Sequence, residues 1–60
     1  MKATIKYLPS GGDAKEVTVD NFKNFYVYET MVEVRGTDSD GVEKNIKIPK
    51  DIFISITIIK

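Results

Sequence analysis

The sequence predicts an all-β fold, a small single domain of five or six antiparallel strands arranged as a meander or a small barrel. Three observations carry that reading. The apolar residues are of one kind: eight Ile, six Val, three Phe and three Tyr stand against one Leu and two Ala, and five Thr add to the β-branched set. Branching at Cβ stiffens χ1 and suits a pleated surface, whereas the helix-favouring Leu and Ala are nearly absent. Apolar and polar residues alternate in short runs. Finally, clusters of Gly, Pro, Asn and Asp separate those runs at short intervals.

The elements follow in order. In the first, Ala3, Ile5 and Tyr7 alternate with Lys2, Thr4 and Lys6. Pro9-Ser10-Gly11-Gly12-Asp13 is a loop with a flexible hairpin tip. In the second, Val17 and Val19 alternate with Glu16, Thr18 and Asp20. The third segment runs from Phe25 to Arg35, with Tyr26, Tyr28, Val32 and Val34 sharing one parity, and Glu29-Thr30 reads as a tight turn or bulge dividing it into two short strands. Its competitor is a short helix at about residues 20–30, capped by Asp20 or Asn21, which would make the fold α+β. The run Phe25-Tyr26-Val27-Tyr28 favours a strand.

Gly36-Thr37-Asp38-Ser39-Asp40-Gly41 is a strong turn. After it come Val42, Ile46 and Ile48, with Lys44 expected to face outward. Pro49-Lys50-Asp51 breaks the chain before a last strand in which Ile52, Ile54, Ile56 and Ile58 are expected on one face. The element Ile48-Pro49-Lys50-Asp51-Ile52 resembles the end of SH3-like barrels, where a strand, a proline-bearing single turn and a final strand recur. Over this dozen or so residues the resemblance implies an SH3-like barrel shape. It implies nothing of the peptide-binding function of signalling SH3 domains, because Trp is absent and Tyr7-Leu8-Pro9 is not their acidic-aromatic motif.

The expected core is Ile5, Tyr7, Val17, Val19, Val32, Val34, Ile46, Ile48, Ile52, Ile54, Ile56 and Ile58, with Tyr26 or Tyr28 closing one end. Residues 1–60 form a single domain with no linker or tail expected. A domain of this size buries about 60% of its unfolded surface. Its stability margin is correspondingly small, about 3–9 kcal/mol at the usual value per residue. With no Cys and no His, neither a disulfide nor a thiolate or imidazole zinc site is available to reinforce it.

Charge and chemistry narrow the functions. Nine basic residues balance nine acidic ones, so the basic excess usual in nucleic-acid binders is missing. Without His or Cys the commonest general base and the thiol nucleophile are gone, and no enzyme activity, cofactor or small-molecule substrate is expected. Asp38-Ser39-Asp40-Gly41 followed by Glu43 departs from a calcium loop, since Gly comes too early and Pro49 stands where the bidentate Glu is needed. It reads instead as a hairpin turn in which Asp side chains bind backbone amides and Gly41 takes positive φ. Ser10-Gly11-Gly12-Asp13 lacks the Lys-Ser/Thr of a phosphate loop. The start of the chain shows no apolar leader, and no apolar run could span a bilayer, so a cytoplasmic location without membrane attachment is expected.

Two surfaces remain. The final segment Asp51 to Lys60 carries no charge between its ends, and Phe53, Ser55, Thr57 and Ile59 form the face opposite its isoleucines. A strand with one wet face normally alternates with charges there, so this face or its edge is expected to meet another protein, most simply a second copy in a dimer. The main expectation is thus a non-catalytic interaction or structural module that self-associates through its C-terminal strand. The alternative is a small-barrel binder of single-stranded nucleic acid, with Tyr26 and Tyr28 stacking on bases and Lys23 and Lys47 meeting phosphates.

Overall fold

The computed structural model describes all 60 residues, folded as six antiparallel strands without a helix. They are β1 (Lys2–Tyr7), β2 (Lys15–Val19), β3 (Asn21–Val27), β4 (Met31–Thr37), β5 (Glu43–Pro49) and β6 (Phe53–Ile59). Two three-stranded sheets form, in the orders β2-β1-β6 and β3-β4-β5. The helix considered at residues 20–30 is absent: β3 occupies most of that span, as its aromatic and β-branched run favours.

β2 passes into β3 through the single residue Asp20, so one continuous stretch of chain serves both sheets. Gly36, buried on β4, makes that corner possible. A Cβ there would collide with the Asn21 carbonyl and with Val19. The Phe22 amide donates to the Met1 carbonyl at 2.8 Å and ties the start of β1 to the same corner.

The turns behave as their residues demand. Gly11 (φ 72°) and Gly41 (φ 84°) take the left-handed conformation at the tips of the β1–β2 and β4–β5 connections. Asp38 Oδ1 accepts hydrogen bonds from the Asp40 and Val42 amides, both at 2.9 Å, which is the hairpin turn expected there. Glu29 and Thr30 form the tight turn between β3 and β4, closed by the Tyr28 amide on the Met31 carbonyl. The Pro49–Phe53 segment makes a single turn, with the Ile52 and Phe53 amides bonded three residues back. The Lys50 amide donates to the Thr30 carbonyl and anchors that turn on the β3–β4 hairpin.

The core lies between the sheets. Ile5 and Val19 of the first sheet meet Val32, Val34 and Ile48 of the second. Tyr7, Val17, Ile46, Ile52 and Ile56 pack around them, as expected. Phe25 and Phe53 join the sheets by stacking, with ring centroids 6.3 Å apart.

Several face assignments differ from the sequence reading, and each has a local cause. Lys6 pairs with Ser55, but the next residue, Tyr7, pairs with Phe53, leaving Ile54 as an extra residue in a bulge. A bulge of one residue reverses the alternation beyond it. Phe53 therefore turns inward, and Ile54, expected in the core, is 49% exposed. Ile58 keeps the inward parity, opposite Ala3, but lies at the end of the outermost strand and is 44% exposed. A second bulge, at Lys23, brings both Phe22 and Phe25 inward.

Tyr26 and Tyr28 do not close the core. A two-residue turn pairs positions of opposite parity, so Val27 faces Val32 and Tyr26 faces Glu33, on the outer side of the sheet. Lys44, expected to point outward, instead shares the face of Ile46 and Ile48, at the strand end opposite Gly36.

Candidate functional site

Two features stand out on the surface. The first is the outer face of the second sheet. Register places Tyr26, Glu33 and Lys47 in one row across β3, β4 and β5, and Asn24, Arg35 and Asn45 in the next. Glu33 is 2% exposed although it lies on the side away from the core. Its enclosure comes from its neighbours on that face.

The Tyr28 hydroxyl donates to Glu33 Oε1 at 2.9 Å, and Arg35 Nε donates to Oε2 at 3.1 Å. Tyr26 and Tyr28 stack with centroids 6.3 Å apart, and the Arg35 guanidinium lies 5.2 Å from the centre of the Tyr26 ring, within cation–π range. No buried side-chain polar atom lacks a partner.

These contacts set the electrostatics. Tyr28's hydrogen bond is the main reason Glu33 is held below the usual carboxylate range; burial opposes it, and Arg35 and Asn45 assist. The same hydrogen bond raises the Tyr28 phenol above its ordinary value, and the pairing with Glu33 raises Arg35. With both oxygens engaged and its charge stabilised, Glu33 is a weak base. Its chemical effect is to fix Tyr28 and Arg35 in place.

Of the residues assigned to a ligand surface, Tyr26, Tyr28 and Lys47 are brought together on this face. Lys23 is the extra residue in the bulge between Phe22 and Asn24, so it has no place in the paired rows that join the others. Glu33 and Arg35 were missed by sequence reasoning. The signal was present: once Glu29-Thr30 is taken as the turn, pairing places Tyr26 opposite Glu33, and Arg35 follows two residues later on the same face.

The second feature is β6, an outer strand of the first sheet, hydrogen-bonded to β1 on one side only. The other outer strands carry charges: Lys15 and Glu16 on β2, Lys23 on the β3 bulge, and Glu43, Lys44 and Lys47 with Pro49 on β5. Such residues discourage pairing with another chain. β6 has none, and Ile54, Ile58 and Ile59 are 49%, 44% and 56% exposed.

The four residues assigned to a self-association face do not share one. Ser55 and Thr57 face outward, opposite Lys6 and Thr4, and Ile59 faces outward opposite Lys2, while Phe53 packs against the core. The outer face of this sheet is otherwise polar, with the threonines Thr18, Thr4 and Thr57 in one row. No strand or hairpin of the chain covers it.

No protein-family model matches the chain, and neither a curated protein nor a solved structure matches it. Between the sheets, Tyr7, Val17, Ile46 and Ile52 line a hollow of about 180 Å³. That is below the roughly 300–1,000 Å³ of small-molecule sites. A shallow depression of about 430 Å³ by Thr30, Met31 and Pro49 has Lys47 as its one charged lining residue. No helix is long and apolar enough to cross a membrane.

Proposed function

We propose that the chain is a non-catalytic structural module that self-associates through β6. One observation carries this: β6 is an outer strand paired on one side only, with no charge from Phe53 to Ile59 and three exposed isoleucines. Open backbone donors and acceptors together with uncharged side chains form a template for strand addition. The thin core supports the same reading, since eight of 60 residues are buried and nothing covalent reinforces them.

Sedimentation equilibrium over a concentration series tests the proposal. The native chain should show a concentration-dependent dimer. Thr57→Lys and Ile59→Lys should remain folded by circular dichroism yet sediment as monomers, because each places a charge on an exposed position of the strand. A native chain that is monomeric at every concentration would overturn the proposal.

A second reading rests on the stacked, exposed Tyr26 and Tyr28 beside Lys47, a surface suited to unstacked bases of single-stranded nucleic acid. Glu33 already engages Arg35, which leaves that face little free positive charge. Fluorescence anisotropy with labelled oligonucleotides at low salt tests it. Binding should weaken with added salt and with Tyr26→Ala, and absence of binding at low salt removes the reading.

A further inference from the structure

The self-association proposed for β6 leaves its geometry open, and the bulge at Ile54 restricts it. N-terminal to the bulge the alternation is reversed, so only Ser55 to Ile59 forms a regular segment that another strand can follow. Within it Ser55, Thr57 and Ile59 face outward, and Ile56 and Ile58 face the core side.

Two copies joined edge to edge by an antiparallel two-fold must set outward residues opposite outward ones. The axis must then pass through a residue position. An axis at Ile56 would set the bulge opposite Ile58 and leave Ile59 without a partner. An axis at Ile58 would pair three residues only. An axis at Thr57 pairs the whole regular segment.

We infer that β6 pairs antiparallel with β6 of a second copy about a two-fold axis at Thr57, joining the two three-stranded sheets into one continuous six-stranded sheet. The inference rests on the self-association reading and specifies its partner strand and register. Thr57 then lies beside Thr57 of the second copy, a favourable cross-strand pair. Ser55 lies opposite Ile59 of the second copy. On the core side, Ile56 lies opposite Ile58 of the second copy, covering the isoleucine that the single chain leaves 44% exposed. The segment is the same kind of surface read in either direction, apolar on the core side and uncharged outside. It therefore meets itself without placing like charges together.

The chain has no cysteine, so single substitutions report the register without background. Residues directly opposite in an antiparallel pair have Cα atoms roughly 4.5–5.5 Å apart, within the range a disulfide spans. Mild oxidation of Thr57→Cys should give a covalent dimer in high yield. Ser55→Cys alone and Ile59→Cys alone should give little, and an equimolar mixture of the two should give the heterodimer.

Sedimentation of the reduced proteins separates the two possible failures. A dimer in which Thr57→Cys does not crosslink, while Ser55→Cys or Ile59→Cys alone does, overturns the register and leaves self-association standing. A strict monomer overturns both. Circular dichroism of each reduced variant shows whether the fold is kept. Should Thr57→Cys fail to fold, the Ser55→Cys and Ile59→Cys mixture still reads the same axis.

Discussion

The Tyr28 hydroxyl and the Glu33 carboxylate meet across the β3–β4 hairpin at 2.9 Å, and this bond accounts for a charged residue that is almost fully enclosed on the side of a sheet facing water. The turn at Glu29-Thr30 sets the register that brings them together. Arg35 completes the arrangement by donating to the second carboxylate oxygen.

Glu33 should couple stability to acid pH. Its folded-state pKa is lowered, chiefly by Tyr28, so the stability it contributes is present above the ordinary Glu value of about 4.3 and is lost as pH falls through the lower folded value. Thermal melts from neutral pH downward should show Tm falling most steeply below that point. Glu33→Gln should flatten this dependence, and an equally steep fall in the variant would assign it to other carboxylates.

Tyr28 should act at the opposite end of the pH scale. Its pKa is raised by the hydrogen bond to Glu33, so its contribution is present below the ordinary Tyr value of about 10 and is lost as pH rises towards the higher folded value. In a spectrophotometric titration of tyrosinate, the Tyr28 phenol should ionise late, above the ordinary Tyr value. Tyr28→Phe should remove that late step, and Glu33→Gln should bring it earlier.

The bulge in β6 predicts opposite sensitivities for adjacent residues. Phe53 stacks on Phe25 across the two sheets, so Phe53→Ala should destabilise by about 3 kcal/mol, the lower end for a buried Phe because the ring is only partly enclosed. Ile54 points to solvent, and in the monomer Ile54→Thr should change stability by no more than about 0.5 kcal/mol. Urea unfolding of both variants under monomeric conditions decides this. Equal losses would place Ile54 inside.

Gly36 should resist even the smallest side chain. A methyl group there meets the Asn21 backbone and Val19 at the corner between the sheets, so Gly36→Ala should cost about 1–3 kcal/mol through strain. In a domain this small each kcal/mol lowers Tm by roughly 4–8 °C, which calorimetry resolves. The effect is steric, since Gly36 is not among the glycines with positive φ. Gly11→Ala, by contrast, meets no neighbouring atom, and its cost is conformational.

The sequence by itself determined the fold class, most of the strands and the main turns, while residues 20–30 stayed open between strand and helix, a choice that β3 settles. Chains of β-branched and aromatic residues favour extended backbone wherever they lie. Gly11, Gly41, Asp38 and Pro49 act through conformational preferences and hydrogen bonds that span only a few residues. For the same reason Ile5, Val19, Val32, Val34 and Ile48 were readable as core from alternation alone. Tertiary structure decided which residues face where beyond an irregularity. A single extra residue at Ile54 or Lys23 reverses the alternation on one side of it relative to the other, and nothing local marks it, because the bulge is fixed by the strand alongside. It also decided that β6 lies at the outside of its sheet and that Glu33 is enclosed, since both depend on which distant strands become neighbours.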